Sequence, residues 1–325
     1  MSYAIRIHET GGPEVLRWEN VPVDDVGPGQ VRIRSSAVGL NFIDTYHRTG
    51  LYPLASLPSG IGMEGAGVIE AVGEGVDRLK PGDRVACASG PVGAYAEIRL
   101  MPADRVVKLP DAISDQTAAA MMLKGMTAEY LLRRTYAVQA GDVILLHAAA
   151  GGVGQIASQW AKHLGAIVIA TVGTDDKADL ARANGCDHVI VYTRENFVER
   201  VREITDGRGV PVVYDSVGKA TFEGSLDCLR PRGMMVSFGN ASGPTGPIDP
   251  LILSAKGSLY LTRPTLVTYT ATPDELQASA SALFDVVAAG HVKIDIGQTY
   301  PLKEAAQAHR DLETRKTTGS TVLLP

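Results

Sequence analysis

Between residues 143 and 262, apolar β-branched runs alternate with stretches whose apolar residues recur at helical spacing. Residues 143–154, Val-Ile-Leu-Leu-His-Ala-Ala-Ala-Gly-Gly-Val-Gly, run from a strand pattern through a glycine turn into a helical pattern over 155–164. Gly165 and a second buried-strand run at 167–172 complete a strand–helix–strand unit. The alternation goes on with a helix over 176–184, a strand over 189–191, a helix over 196–205 and a strand over 210–214. A helix over 222–229 and strands over 234–238 and 259–261 end it. Strands covered on both faces read as continuous apolar runs rather than alternating ones. Six of them joined by helices predict an α/β fold, a Rossmann-type doubly wound parallel sheet.

The first 125 residues have another rhythm. Short strand patterns at 31–38, 67–72 and 85–88 are divided by Gly and Pro turns such as Pro81-Gly82-Asp83, which predicts a β-rich domain. Ser114 is placed to cap a helix running through Met121 and Met122 toward Leu132. After residue 262 the pattern gives a helix over 274–289, a helix over 304–312 and a strand over 321–324. Thr272-Pro273-Asp274-Glu275 supplies the cap, first-turn proline and reciprocal acid of the first of these helices. That tail is too short for a domain and is expected to return to the first one. The expected division is 1–125, 126–262 and a returning segment 263–325.

The glycine turn carries the chemistry. Gly151, Gly152, Val153 and Gly154 bring backbone N–H groups and a helix N-terminus to one place, which suits a pyrophosphate. Cofactor preference is set at the end of the second strand, where NAD enzymes carry an acid for the ribose 2′-hydroxyl. Here that end reads Thr171-Val172-Gly173-Thr174, followed by Lys177, with Tyr192 beyond the third strand. A cation and a hydroxyl favour a 2′-phosphate, hence NADPH, with Asp175 and Asp176 read as helix-capping acids.

Composition narrows the class. With 325 residues, 45% of them hydrophobic, the chain can bury two cores. A net charge of −5 argues against nucleic acid as a partner. No run reaches the length of a membrane span and residues 1–8 do not read as an export signal, so a cytoplasmic enzyme is expected. Cys87, Cys186 and Cys228 are widely spaced and read as free buried thiols.

Asn41-Phe42-Ile43-Asp44-Thr45-Tyr46, Arg48-Thr49-Gly50-Leu51-Tyr52-Pro53, the Ala148–Gly154 turn and Tyr214-Asp215-Ser216-Val217-Gly218 together resemble the NADPH-dependent quinone oxidoreductases, ζ-crystallin relatives within the medium-chain dehydrogenase/reductase superfamily. The resemblance spans the chain and implies a GroES-like β-rich domain beside the Rossmann-type one, with the nicotinamide in a cleft between them. Zinc-dependent relatives carry a cysteine ligand and a Gly-His-Glu motif where this chain has Asn41 and Gly62-Met63-Glu64, and they carry a four-cysteine lobe that is missing here. No metal is expected. An acceptor that delocalises the incoming electron pair, a quinone or an alkene conjugated to a carbonyl, then suits the nicotinamide.

By the same resemblance Asn41, Tyr46 and Tyr52 position substrate or nicotinamide, the alternative for the tyrosines being half-buried packing. Lys124 serves a phosphate or donates a proton, or else is a solvated, snorkelling helix residue. Thr127 bonds the nicotinamide amide. Ser216, Phe238, Gly239, Asn240 and Arg263 follow strand ends as cofactor contacts, and Arg315 in the tail reaches the adenosine phosphate or forms a surface salt bridge. His147 reads as packed or backbone-bonded, and His47 as facing outward. A homodimer is expected through the edge strand at 258–262. The rival functions are an enone or enoyl reductase and a non-enzymatic NADPH-binding protein, crystallin or RNA-associated.

Overall fold

The computed structural model describes all 325 residues and separates into two compact units. The first comprises Met1–Met126, Thr270–Ala288 and Ile294–Pro325; the second comprises Thr127–Tyr269 and Ala289–Lys293. The division differs from the sequence boundaries in three places. Met126 stays with the first unit, residues 263–269 stay with the second, and the short run 289–293 returns to the second. The last holds because the Lys293 N–H donates to Gln159 Oε1 at 2.9 Å, while Gln159 Nε2 donates back to the Lys293 carbonyl at 3.0 Å.

In the second unit six parallel strands lie in the order His188–Val191, Ile167–Val172, Val143–His147, Val210–Asp215, Leu229–Ser237 and Tyr260–Thr262. Order reverses beside Val143–His147, so the loops leaving the neighbouring strand ends diverge there, where sheets of this kind bind ligands. The core between sheet and helices is built on an apolar cluster: Leu145, Ile169, Ile190, Val213 and Met235 from strands, Val201 and Leu226 from helices. Gly154 opens the packing at the switch point. A Cβ there would sit 2.3 Å from the Ala148 carbonyl oxygen, so the helix Gly152–His163 approaches the strand end only because residue 154 has no side chain.

The first unit is built on a seven-stranded sheet whose long central strand, Gln30–Leu40, pairs with Glu64–Val72, Ile98–Pro102 and the C-terminal Ser320–Leu324. The chain end is thereby stitched antiparallel into the unit that the chain start began. The strand Ile296–Pro301, which extends this sheet, carries Gly, Gln and Thr and gave no apolar pattern to read. The Thr272–Glu275 capping box forms as expected, with N–H···O distances of 3.0 and 3.2 Å. Ser114 Oγ likewise accepts from the Thr117 N–H at 3.1 Å at the head of Asp115–Tyr130. That helix ends sooner than its pattern, passing into a π-helical turn at Leu131–Thr135.

Candidate functional site

Three helices in the second unit start at the carboxyl ends of neighbouring strands, and their caps differ. Asp175–Ala183 is capped by Thr174, whose side chain accepts from the Lys177 N–H, and Phe197–Ile204 by Asn196, which accepts from Val198 and Glu199. Gly152–His163 is capped by Gly151, which has no side chain to offer. Its first-turn N–H groups, on Gly152, Val153 and Gly154, are the ones that helix geometry leaves without intrahelical partners. Ala148, just before the turn, adopts a left-handed φ of 54°, and the Gly151 N–H closes back on its carbonyl at 2.9 Å. A tight turn ending in unclaimed donors at a positive dipole end fits a pyrophosphate.

A buried polar chain holds the turn from behind. His147 Nδ1 lies 2.8 Å from Thr171 Oγ1, its register partner on the next strand, and Nε2 lies 2.9 Å from Ser225 Oγ. Ser225 donates to Asp215 Oδ2 at 2.9 Å, and Asp215 Oδ1 accepts from the Val217 and Gly218 N–H groups at 2.8 and 3.0 Å. Burial pushes the His147 imidazole below its ordinary pKa, so it stays neutral with one nitrogen donating and one accepting. His147 is thus bonded by side chains, not by backbone. Serine, histidine and aspartate in contact do not make a nucleophile here, because the serine proton is committed to Asp215 and all three are sealed from solvent.

The other strand ends come together as follows. A Cβ on Gly239 would meet the Ser216 carbonyl at 2.4 Å, so the 216 and 238–240 loops abut. The Phe238 N–H donates to the Asp215 carbonyl at 2.8 Å, and Arg263 Nη1 donates to Ser237 Oγ and the Gly239 carbonyl at 3.0 and 2.9 Å. Asn240 is half-buried in the same loop. At the opposite side of the switch point Tyr192 covers Gly173, where an added Cβ would stand 2.9 Å from the phenol oxygen. Lys177 is half-buried one turn into the following helix. The capping role read for Asp175 is corrected: Thr174 caps, and Asp175 makes a bidentate pair with Arg194 at 2.7 and 2.5 Å. Thr127 is buried, and Tyr130, to which its side chain is hydrogen-bonded, stacks on Tyr269 with ring centroids 4.6 Å apart.

In the first unit, Asn41 precedes the helix Phe42–Thr49, and its amide nitrogen donates to Glu64 Oε2 at 2.7 Å. Lys124 Nζ donates to the same oxygen at 3.0 Å, and the Leu123 N–H donates to Oε1 at 2.8 Å. Glu64 and Lys124 are both buried, so Lys124 is neither solvated nor snorkelling. Glu64 was the member missed; the only signal was its place after Gly62-Met63, where zinc-dependent relatives keep a ligand motif. No three His, Cys, Asp or Glu side chains of the chain converge as a metal-ligating group. Tyr46 and Tyr52 are half-buried and meet edge to face at 5.2 Å. His47 corrects the outward expectation: it is buried, because this helix turns Asp44, Thr45, His47 and Arg48 all inward. Arg315 is exposed, in a left-handed conformation after the helix Ala305–Glu313.

Two of those inward residues, Asp44 and Arg48, join a second buried chain. Asp44 Oδ2 accepts from the Asn41 N–H and from Tyr95 Oη, both at 2.9 Å. Tyr95 Oη lies 3.1 Å from His309 Nε2, His309 Nδ1 lies 3.0 Å from Arg48 Nη1, and Arg48 forks onto Glu313 at 3.0 and 2.7 Å. Burial raises the Asp44 carboxyl to about 7, and burial with the Arg48 charge lowers the His309 imidazole to about 3. The chain cannot conduct protons to the surface, since the Arg48 guanidinium between His309 and Glu313 does not deprotonate.

Two family models match: a zinc-binding dehydrogenase model over residues 152–284 and an alcohol dehydrogenase GroES-like domain over 27–111. The chain is 56% identical to a quinone oxidoreductase of Pseudomonas aeruginosa over the full length of both. It is 50% identical to a 2-haloacrylate reductase of a Burkholderia species, covering 100% of this chain and 99% of that one. The crystal structure of Escherichia coli quinone oxidoreductase complexed with NADPH superposes with a TM-score of 0.98 at 50% identity, covering 99% of this chain and 100% of that one.

Proposed function

The chain belongs to the quinone oxidoreductase family of the medium-chain dehydrogenase/reductases, and on that premise we propose that it reduces quinones with NADPH. The observation that carries the proposal is the glycine-capped helix at the switch point of the sheet: Gly151 has no side chain to claim its first-turn donors, whereas Thr174 and Asn196 each accept first-turn N–H groups of the helices they cap. When bound, NADPH supplies a hydride from nicotinamide C4. The protein's share is placement and shielding from water. Gly151, Gly152, Val153 and Gly154 receive the pyrophosphate, and Lys177 with Tyr192 and Gly173 receive the 2′-phosphate. Ser216, Phe238, Gly239, Asn240, Arg263 and Thr127 line the path of the cofactor, and Arg315 adds a cation for its adenosine end. Asn41, Tyr46 and Tyr52 orient the reacting rings. Lys124 holds Glu64, and through it the amide of Asn41, in place.

A second acceptor class rests on the Burkholderia relative. A 2-haloacrylate is an alkene conjugated to a carboxyl group, and a site that delivers hydride to a quinone carbon is suited to such an alkene as well. We also place the chain as a cytoplasmic homodimer. Three free buried thiols accord with a reducing compartment. The strand Tyr260–Thr262 is a sheet edge with an exposed tyrosine, which a two-fold mate would cover. Size-exclusion chromatography with light scattering should give twice the 34.3 kDa chain mass. NADPH oxidation followed across a panel of quinones and activated alkenes tests the activity: turnover with quinones supports it, and tight NADPH binding with no turnover would return the protein to a binding role.

A further inference from the structure

The end of the second parallel strand presents a contradiction in charge. Sheets of this type select NAD by an acid near this strand end, which bonds the ribose 2′-hydroxyl and repels a 2′-phosphate. Lys177 and Tyr192 suit the phosphate, yet Asp175 stands only two residues past Gly173, in the first turn of the helix Asp175–Ala183. An unscreened carboxylate there would oppose the cation two residues on.

The loop after the third strand answers it. Residues 192–194 are fastened to the second strand end by consecutive contacts: the Tyr192 N–H donates to the Val172 carbonyl at 3.1 Å, and Thr193 Oγ1 to the Gly173 carbonyl at 3.1 Å. Arg194 then forks onto both oxygens of Asp175 at 2.7 and 2.5 Å. These two bonds, one from the backbone and one from the Thr193 hydroxyl, fix the register, so the guanidinium is delivered to this carboxylate. An ion pair this exposed, with side chains 58% and 67% accessible, adds little to stability. Its consequence is the local field.

We propose that the Asp175–Arg194 pair is a cofactor-specificity device: Arg194 screens the strand-end carboxylate so that Lys177 and Tyr192 can accept a 2′-phosphate. The proposal deepens the NADPH reading above and rests on it. Arg194 acts through Asp175 and is a positioning residue. A phosphate carries close to two negative charges, so exposing one carboxylate nearby acts on NADPH and leaves NADH almost untouched.

Dissociation constants for NADPH and NADH, measured by calorimetry on the wild type, R194A, D175N and R194A/D175N, form the test, with Tm as a control on folding. R194A should raise the NADPH constant by about tenfold and leave NADH unchanged, because only the phosphate meets the bared charge. The double variant should return to near the wild-type value, and D175N alone should bind NADPH at least as well as wild type. Unchanged NADPH affinity in R194A overturns the proposal. So does a loss in R194A that the double variant does not restore, which would make Arg194 a direct phosphate ligand. A wild type that itself prefers NADH defeats the underlying NADPH reading instead.

Discussion

The two units build their candidate site residues in different ways. The first buries Asp44, Arg48, Glu64 and Lys124 and settles each against other side chains, through partners as far apart as Arg48 and His309. The second buries Asp215 behind its glycine turn, but at the turn itself it leaves the chemistry to the backbone, with glycine at the cap of one helix and open N–H groups at a strand end. A buried charge is stable only while its partner stays, whereas an open backbone donor costs little and waits for an anion. The first arrangement therefore couples the site to folding, and the second couples it to ligand.

The sharpest way to break this contrast is Lys124→Met. It leaves the Glu64 carboxyl buried with no cation beside it, and should cost about 3–5 kcal/mol in denaturant unfolding. Adding Glu64→Gln should recover more than half of that; a single variant as stable as wild type would remove buried charge from the account. In the second unit Gly154→Ala should cost about 1–3 kcal/mol and weaken NADPH binding, since its Cβ would meet a backbone oxygen at 2.3 Å. Gly151→Ala, whose Cβ would stand 3.2 Å from the same atom at an ordinary φ of −80°, should fold nearly as well as wild type.

The pH dependence separates the members of the buried chain in the first unit. Asp44, raised from 3.8 to about 7, binds a proton in the folded state that the unfolded chain has released, so its contribution is present in acid and is lost as pH rises toward 7. His309, lowered from 6.5 to about 3, does the reverse: its contribution is present above 6.5 and is lost as pH falls toward 3. Between pH 4 and 6.5 the two offset. His309→Gln should expose the Asp44 slope, stability falling as pH rises by up to about 1.4 kcal/mol per pH unit, and Asp44→Asn the opposite slope. Parallel profiles in wild type and both variants would contradict the assignment. The smallest effect is expected from Lys177→Ala, which should lower the NADPH-over-NADH ratio of kcat/KM by about tenfold with Tm unchanged.

Legibility in the sequence follows the same division. The parallel sheet could be read because strands buried on both faces are continuous apolar runs, and because the glycine turn is contiguous. Most strand and helix limits fell within a residue or two; Glu64–Val72 and Gly152–His163 start three residues before their patterns, and Leu229–Ser237 starts five before its own because Arg230, Pro231 and Arg232 are polar or strand-breaking. The first unit hid its cluster. Glu64 lies 23 residues from Asn41 and 60 from Lys124, and Asp44 lies 51 from Tyr95, so no local spacing joins them. Periodicity also misplaced His47, since a short helix that buries charged residues shows no apolar face. Arg194 went unread for a similar reason: its partner lies one strand away, across the 19 residues from Asp175.

The central claim, a glycine-capped helix end serving a phosphate-selective reductase, is tested most directly by steady-state kinetics with one quinone and both nicotinamide cofactors. NADPH should be oxidised with a kcat/KM at least about tenfold above that for NADH, the margin one phosphate charge near Lys177 supplies. Equal or higher efficiency with NADH, or no quinone-dependent oxidation of either cofactor, would contradict it.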